Sequence, residues 1–172
     1  MSNKTKIIAT TLSASALFFA SLIGYEGYKS KPYLDSAKVA TIGIGSTQYE
    51  NGTKVKMTDK AITKERAVQI AKAHIAKDEV AFRKSLLGVK LTQTEYDVYL
   101  DFTYNFGQAN WNSSSMLGNL KAGQYRQACA SLLKYKYVSQ GKKKFDCSIR
   151  SNNCWGVWTR QLDRYNKCMG VQ

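Results

Sequence analysis

The sequence is poor in acids, prolines and histidines, and its first 128 residues hold no cysteine. Twelve acidic residues stand against 26 basic ones, a formal net charge of +14. One proline, Pro32, and twelve glycines exclude a collagenous or proline-rich chain. The only histidine, His74, excludes a histidine-built metal centre, and it reads as a surface or structural residue. The four cysteines lack the paired CxxC-type spacing of a four-thiolate metal site. No metal and no cofactor are therefore expected. Nor is there a long basic run: the longest is Lys142-Lys143-Lys144, a solvated loop rather than a nucleic-acid arm. Such an excess of cations suits a polyanion, whether nucleic acid, an anionic membrane face or anionic cell wall, and charge alone does not choose among them. The cations are spread along the chain, as on a surface that adheres to a bulk anionic polymer. Nucleic acid is not an expected partner.

What remains suits one globular domain with a short extra segment: 172 residues, 44% hydrophobic. Cys129, Cys147, Cys154 and Cys168 are even in number and confined to the last third. Disulfides in an oxidising compartment are the favoured reading, with free buried thiols and a metal site as the alternatives. Three pairings are possible. The preferred one closes a local loop with Cys147–Cys154 and ties two helices with Cys129–Cys168.

The N-terminus has the form of an export signal. Lys4 and Lys6 precede Ile7–Gly24, eighteen residues without a charge. As a helix this segment would span about 27 Å, just short of a hydrocarbon core. It is diluted by Ala, Ser and Thr, so it is a weak span. Phe18 and Leu22 spoil the obvious cleavage frames near its end. An uncleaved anchor over residues 1–24 is expected, followed by a catalytic domain over 25–172. A cleaved signal peptide is the alternative, and a buried core helix fits less well.

The folded part reads as α+β, a small antiparallel sheet near the front with helices behind. Tyr25–Tyr33 reads as a short helix. Ala40–Ser46 (ATIGIGS) reads as a strand with bends, and Asn51-Gly52 as a tight turn, giving a hairpin or small sheet over Thr41–Val55. Thr63 caps a helix that runs to about Leu87. Thr92 and Glu95 form a capping box, with Leu91 stapled onto Tyr96. That helix stops at Gly107. Further helices are expected over Ser115–Lys121, Tyr125–Val138 and Trp155–Cys168.

Glu26, Asp35 and Thr41 stand in the spacing Glu-x8-Asp-x5-Thr. Two carboxylates that flank a glycosidic bond are the usual means of cleaving it. Tyr25, Tyr33 and Ile42 would wall Glu26 and keep it in the protonated form that a general acid needs. Asp35, in a polar turn, would stay ionised, and Thr41 could hold a water.

The stretch GYEGYKSKPYLDSAKVATIGIGST resembles the catalytic segment of phage lysozymes of the lambdoid and T-even type, glycoside hydrolase family 24. Their signature is EG-x7-D-x5-T followed by IGxG. Glu26, Gly27, Asp35, Thr41, Ile42, Gly43 and Gly45 match it. LTQTEYDVYLDFTYNFG and SSSMLGNLKAGQY are similar to later family segments, so the resemblance covers about residues 24–138. It implies a lysozyme-like fold with a cleft between sheet and helical lobe. It also implies a monomeric muramidase that hydrolyses the β-1,4 bond between N-acetylmuramic acid and N-acetylglucosamine in peptidoglycan glycan strands, causing host lysis. Glu26 is then the general acid, Asp35 the base or charge stabiliser, and Thr41 the residue that orients the attacking water. A sister group of transglycosylases lacks the Asp, so Asp35 argues for hydrolysis.

The resemblance further implies a signal-anchor-release segment. Residues 7–24 would make transient contact with the inner membrane and tether the enzyme at the periplasmic face. With Glu26 two residues past Gly24, the acid would be pinned at the lipid surface until release. Relatives carry GL..RR..E near the C-terminus, where this chain has Gly156, Val157, Arg160 and, in place of the Glu, Arg164. Arg160 is read either as a partner for Glu26 or as an exposed surface arginine. A cationic membrane- or wall-binding protein without catalysis is the competing reading. It would explain the charge but not the Glu-Asp-Thr spacing.

Overall fold

The computed structural model describes residues 5–35, 38–141 and 143–172. Lys4 of the basic N-terminal flank and Lys142 of the lysine run lie outside the described residues. The chain forms two compact units. One is the N-terminal stretch through Ser13 together with Arg83–Gln172, and the other is Ala14–Phe82.

The unit Ala14–Phe82 opens with α1 (Ala16–Glu26). Ser15 caps it, its hydroxyl accepting the Phe18 N–H at 3.2 Å. Phe18, Phe19 and Leu22 are buried while Leu17 is 74% exposed. The hairpin β2 (Lys29–Leu34) and β3 (Ala40–Gly43) follows. Tyr33 lies opposite Thr41 and Leu34 opposite Ala40, and a bulge between Lys29 and Tyr33 shifts the register. The stretch 25–33, expected to be helical, is thus the end of α1 and most of β2. Pairing with Ala40–Gly43 overrides the local preference.

Ile42 and Ser46 exchange both backbone hydrogen bonds, at 2.9 and 3.0 Å, around a turn holding Gly43 and Gly45. A second turn at Asn51-Gly52 is closed by Tyr49 and Thr53. The expected small hairpin is present as short bridges rather than long strands. α2 (Lys64–Ser85) begins at Thr63, whose hydroxyl accepts the Arg66 N–H. Ala67, Ile70, Ala71, Ile75 and Phe82 form its buried stripe. His74 is structural: its Nε2 lies 2.7 Å from the Gln48 carbonyl.

In the other unit, β1 (Ile7–Ile8) pairs antiparallel with β4 (Lys90–Leu91). α3 (Gln93–Phe106) carries the full capping box of Thr92 and Glu95 and ends at Gly107. α4 (Gln108–Asn112), α5 (Ser115–Lys121) and α6 (Tyr125–Ser131) follow. Tyr96, Tyr99, Phe102 and Trp111 are fully buried. The Trp111 indole donates to Ser85 Oγ at 2.8 Å, which satisfies its N–H inside the core.

The helix expected over Tyr125–Val138 stops early, because β5 (Tyr137–Gln140) and β6 (Lys143–Asp146) form a hairpin. α7 (Trp155–Met169) closes the chain. Both preferred disulfides are formed, Cys129–Cys168 between α6 and α7 and Cys147–Cys154 around a local loop.

The apolar run Ile7–Gly24 is not one helix. It divides into β1, a 3-10 turn over Ala9–Thr11 and most of α1. The polar residues between Thr10 and Ser15 interrupt it, and Ser15 starts a new helix. Among the described residues no helix is long and apolar enough to cross a membrane. Leu22 is fully buried, so part of the run serves as core, the option the sequence favoured least.

Candidate active site

Glu26 is the last residue of α1. Gly27 stops the helix at φ 77, its N–H donating to the Ile23 carbonyl at 2.9 Å. A side chain is strained at that φ, so the glycine fixes where the helix ends and the acid sits. Glu26 is exposed. The burial expected of it is not found, and Tyr25 beside it is itself 43% exposed.

β2 delivers the second carboxylate. The Asp35 N–H donates to the Val39 carbonyl at 3.0 Å, and Asp35 Oδ1 accepts the Val39 N–H at 2.9 Å. The aspartate is therefore fastened to Val39, the residue just before β3. Thr41 follows on β3, 2% exposed, with its hydroxyl donating to the Val39 carbonyl at 3.0 Å. Its one proton is committed there, which leaves the oxygen lone pairs for an incoming donor.

Glu26, Asp35 and Thr41 all fall within the unit Ala14–Phe82. Tyr33 links them. Burial pushes its phenol above the ordinary range, and the Asp35 and Glu26 carboxylates add to the effect. Sequence reading gave Tyr33 only a packing role. Its place two residues before Asp35, on a strand with period 2, was the available signal.

The C-terminal departure from the family pattern also resolves. Asp101 of α3 receives both arginines of α7, Arg160 at 2.8 Å and Arg164 at 2.6 Å. Arg164, 2% exposed, also donates to Gln161 Oε1 at 2.7 Å. Arg164 thus joins α7 to α3. Arg160 is not the exposed surface residue considered from sequence, since its side chain is 12% exposed and held by Asp101. Sequence reading missed Asp101 altogether. Among the described residues, no group of three or more His, Cys, Asp or Glu side chains is placed to hold a metal ion.

Comparison with known proteins adds to this geometry. The family model described as "Phage lysozyme" matches residues 23–153. The endolysin of Salmonella phage P22 is 32% identical over 111 residues, which cover 64% of this chain and 75% of that protein. A SAR-endolysin of Escherichia phage 933W is 26% identical over 170 residues, covering 96% and 90%. Among solved structures, the endolysin of Escherichia coli O157:H7 phage FAHEc1 superposes with a TM-score of 0.77 at 25% identity, covering 94% of this chain and 96% of that one.

Proposed function

The chain belongs to the phage lysozyme family, and from that premise we propose that Glu26, Asp35 and Thr41 carry its hydrolysis of the peptidoglycan glycan strand. The protein is a lysozyme-type hydrolase, an endolysin that cleaves cell wall. Its bond is the β-1,4 link between N-acetylmuramic acid and N-acetylglucosamine. Glu26 gives its proton to the glycosidic oxygen as the bond breaks. Asp35 takes a proton from the attacking water or balances the cationic sugar. Thr41 orients that water through its uncommitted lone pairs. Exposure of Glu26 in the free protein is compatible with this role, since a bound glycan displaces the surrounding water. The hairpin that ties Asp35 to Val39 and sets the Thr41 hydroxyl on the same residue's carbonyl, following the glycine-stopped helix that ends in Glu26, is the observation that carries this reading.

The substitution Glu26→Gln tests it. Lysis of purified peptidoglycan should fall by at least about 100-fold, the scale of a lost general acid, with the thermal midpoint unchanged. Full lysis by this variant would favour disruption driven by the +14 charge instead.

We further propose that residues 7–24 tether the exported chain to the inner membrane and that the released enzyme, a monomer, keeps them. Support comes from the basic flank, the uncharged run and the SAR-endolysin relatives. It also comes from what residues 5–13 do in the fold. Lys6 forms an ion pair with Glu95, which is fully buried, and lies 4.0 Å from the Tyr125 ring centroid. Ser13 accepts the Gln93 amide at 2.9 Å. Removal of these residues would strip a buried carboxylate of its cation. In cells, the enzyme should pellet with membranes and move to the soluble periplasm on depolarisation with its N-terminal sequence intact. A soluble form that begins after residue 24 would contradict retention.

A further inference from the structure

Tyr33 and Lys29 have no role in the hydrolysis described so far. They form a pair: the Lys29 ammonium sits 4.0 Å from the centroid of the Tyr33 ring. The β2 bulge makes this possible, because it lets the strand gain residues on its partner between Lys29 and Tyr33. Tyr33 is directly opposite Thr41 in the ladder. Opposite residues in an antiparallel pair place their side chains on one face, a few ångströms apart. Asp35 follows Tyr33 by two residues, and α1 brings in Glu26. The charged groups placed around the phenol are thus Lys29 on its ring face and the Asp35 and Glu26 carboxylates.

This placement has a consequence in any enzyme that works with two acids. The acid and its partner carboxylate must flank the bond they break. A side chain directly opposite Thr41 and two residues before Asp35 lies beside the bond that those residues serve. Tyr33 is half-buried, with one ring face covered by an ammonium, so its ring is braced, while burial, and to a lesser degree the field of the Asp35 and Glu26 carboxylates, keeps its hydroxyl protonated. A fixed neutral donor is suited to an acceptor-only group of the sugar such as an acetamide oxygen, which a third carboxylate would repel.

We propose that Tyr33 contacts the substrate, its phenol hydroxyl hydrogen-bonding the sugar whose glycosidic bond lies between Glu26 and Asp35, and that Lys29 is a positioning residue that braces the Tyr33 ring. This rests on the assignment of Glu26 and Asp35 as the working acids. Because the hydroxyl acts at the scissile sugar, its benefit is largest as the bond breaks.

The experiment uses the full chain and soluble glycan oligomers derived from peptidoglycan, with initial rates of reducing-end release. Tyr33→Phe keeps the ring and its cation contact and removes the hydroxyl alone. It should lower kcat about tenfold, the size of one productive hydrogen bond, with KM within about twofold and the thermal midpoint unchanged. Lys29→Met should lower kcat in the same sense, and Lys29→Arg, which keeps a cation over the ring, should restore it. Wild-type kcat in Tyr33→Phe overturns the substrate contact. A loss confined to KM overturns its place at the scissile sugar. Equal behaviour of Lys29→Met and Lys29→Arg overturns the brace. Failure of the underlying assignment has a different signature, undiminished reducing-end release by Glu26→Gln.

Discussion

Gly43 sits where a side chain has no room. A Cβ there would meet the Ala67 Cβ at 2.9 Å and Ile62 Cδ1 at 3.3 Å, and φ is 67. Gly45 shares the positive φ without the crowding. The two glycines of IGxG therefore serve different ends: both allow the turn, but only Gly43 lets the hairpin lie against α2. Gly43→Ala should destabilise the protein by about 2 kcal/mol, against about 1 kcal/mol for Gly45→Ala. Urea unfolding of the two variants checks this, and equal losses would remove the packing role.

Asp146 gives a pH test at the same scale. Lys136 binds its carboxylate at 2.7 Å and Ser148 adds further hydrogen bonds. Together they hold its pKa down from 3.8 to about 2. A carboxyl with a depressed folded value stabilises the fold fully above its unfolded value and loses that contribution as pH falls through the folded one. The difference in thermal midpoint between the parent and Asp146→Asn should therefore be constant above pH 5 and shrink between about pH 4 and 2. A difference that persists unchanged at pH 2 would contradict the pairing.

At the scale of elements, legibility followed the range of the interactions. The capping box at Thr92 and Glu95 was readable because every participant lies within four residues. The helix over 64–85 was readable from its own apolar stripe. The strand Lys29–Leu34 was not, because it exists through its pairing with Ala40–Gly43. The tail of the expected helix over Tyr125–Val138 failed for the same reason, through pairing with Lys143–Asp146. The Glu-Asp-Thr spacing was visible in sequence, but Tyr33 and Lys29 are joined to it by a bulge that no local pattern reveals.

Arg164 was legible as a departure but not as a solution, since its partner Asp101 lies 63 residues away. Through it Arg160 and Arg164 of α7 are tied to α3. Asp101→Ala would leave two poorly exposed arginines without their shared carboxylate, and should cost about 3 kcal/mol. Chemical denaturation measures this. A loss below about 0.5 kcal/mol would mean that the ion pairs add nothing to the fold.

At the scale of the whole molecule, the N-terminal stretch is part of the folded body: Lys6 pairs with Glu95, and Ile7–Ile8 pairs with Lys90–Leu91. Glu95 is where the two ends of the chain meet, since Gln172 also donates to it at 2.8 Å. Lys6→Met should lower stability by about 2 kcal/mol, less than a fully buried pair because a quarter of the Lys6 side chain stays exposed. The double variant Lys6→Met with Glu95→Gln should recover part of the loss, since the buried charge is then gone. No recovery in denaturation experiments would count against the ion pair as the reason that the segment is held.

The proposed hydrolysis of the glycan by Glu26 and Asp35 is decided by the chemistry of its product. Purified protein is incubated with peptidoglycan, the products are reduced with borohydride, and the muropeptides are read by mass spectrometry. Reducible muramic acid ends are expected, at greatly lowered yield with Asp35→Asn. Anhydro-muramic ends would contradict the role of Asp35 in admitting water, and intact glycan from a preparation that still lyses cells would contradict the enzyme itself.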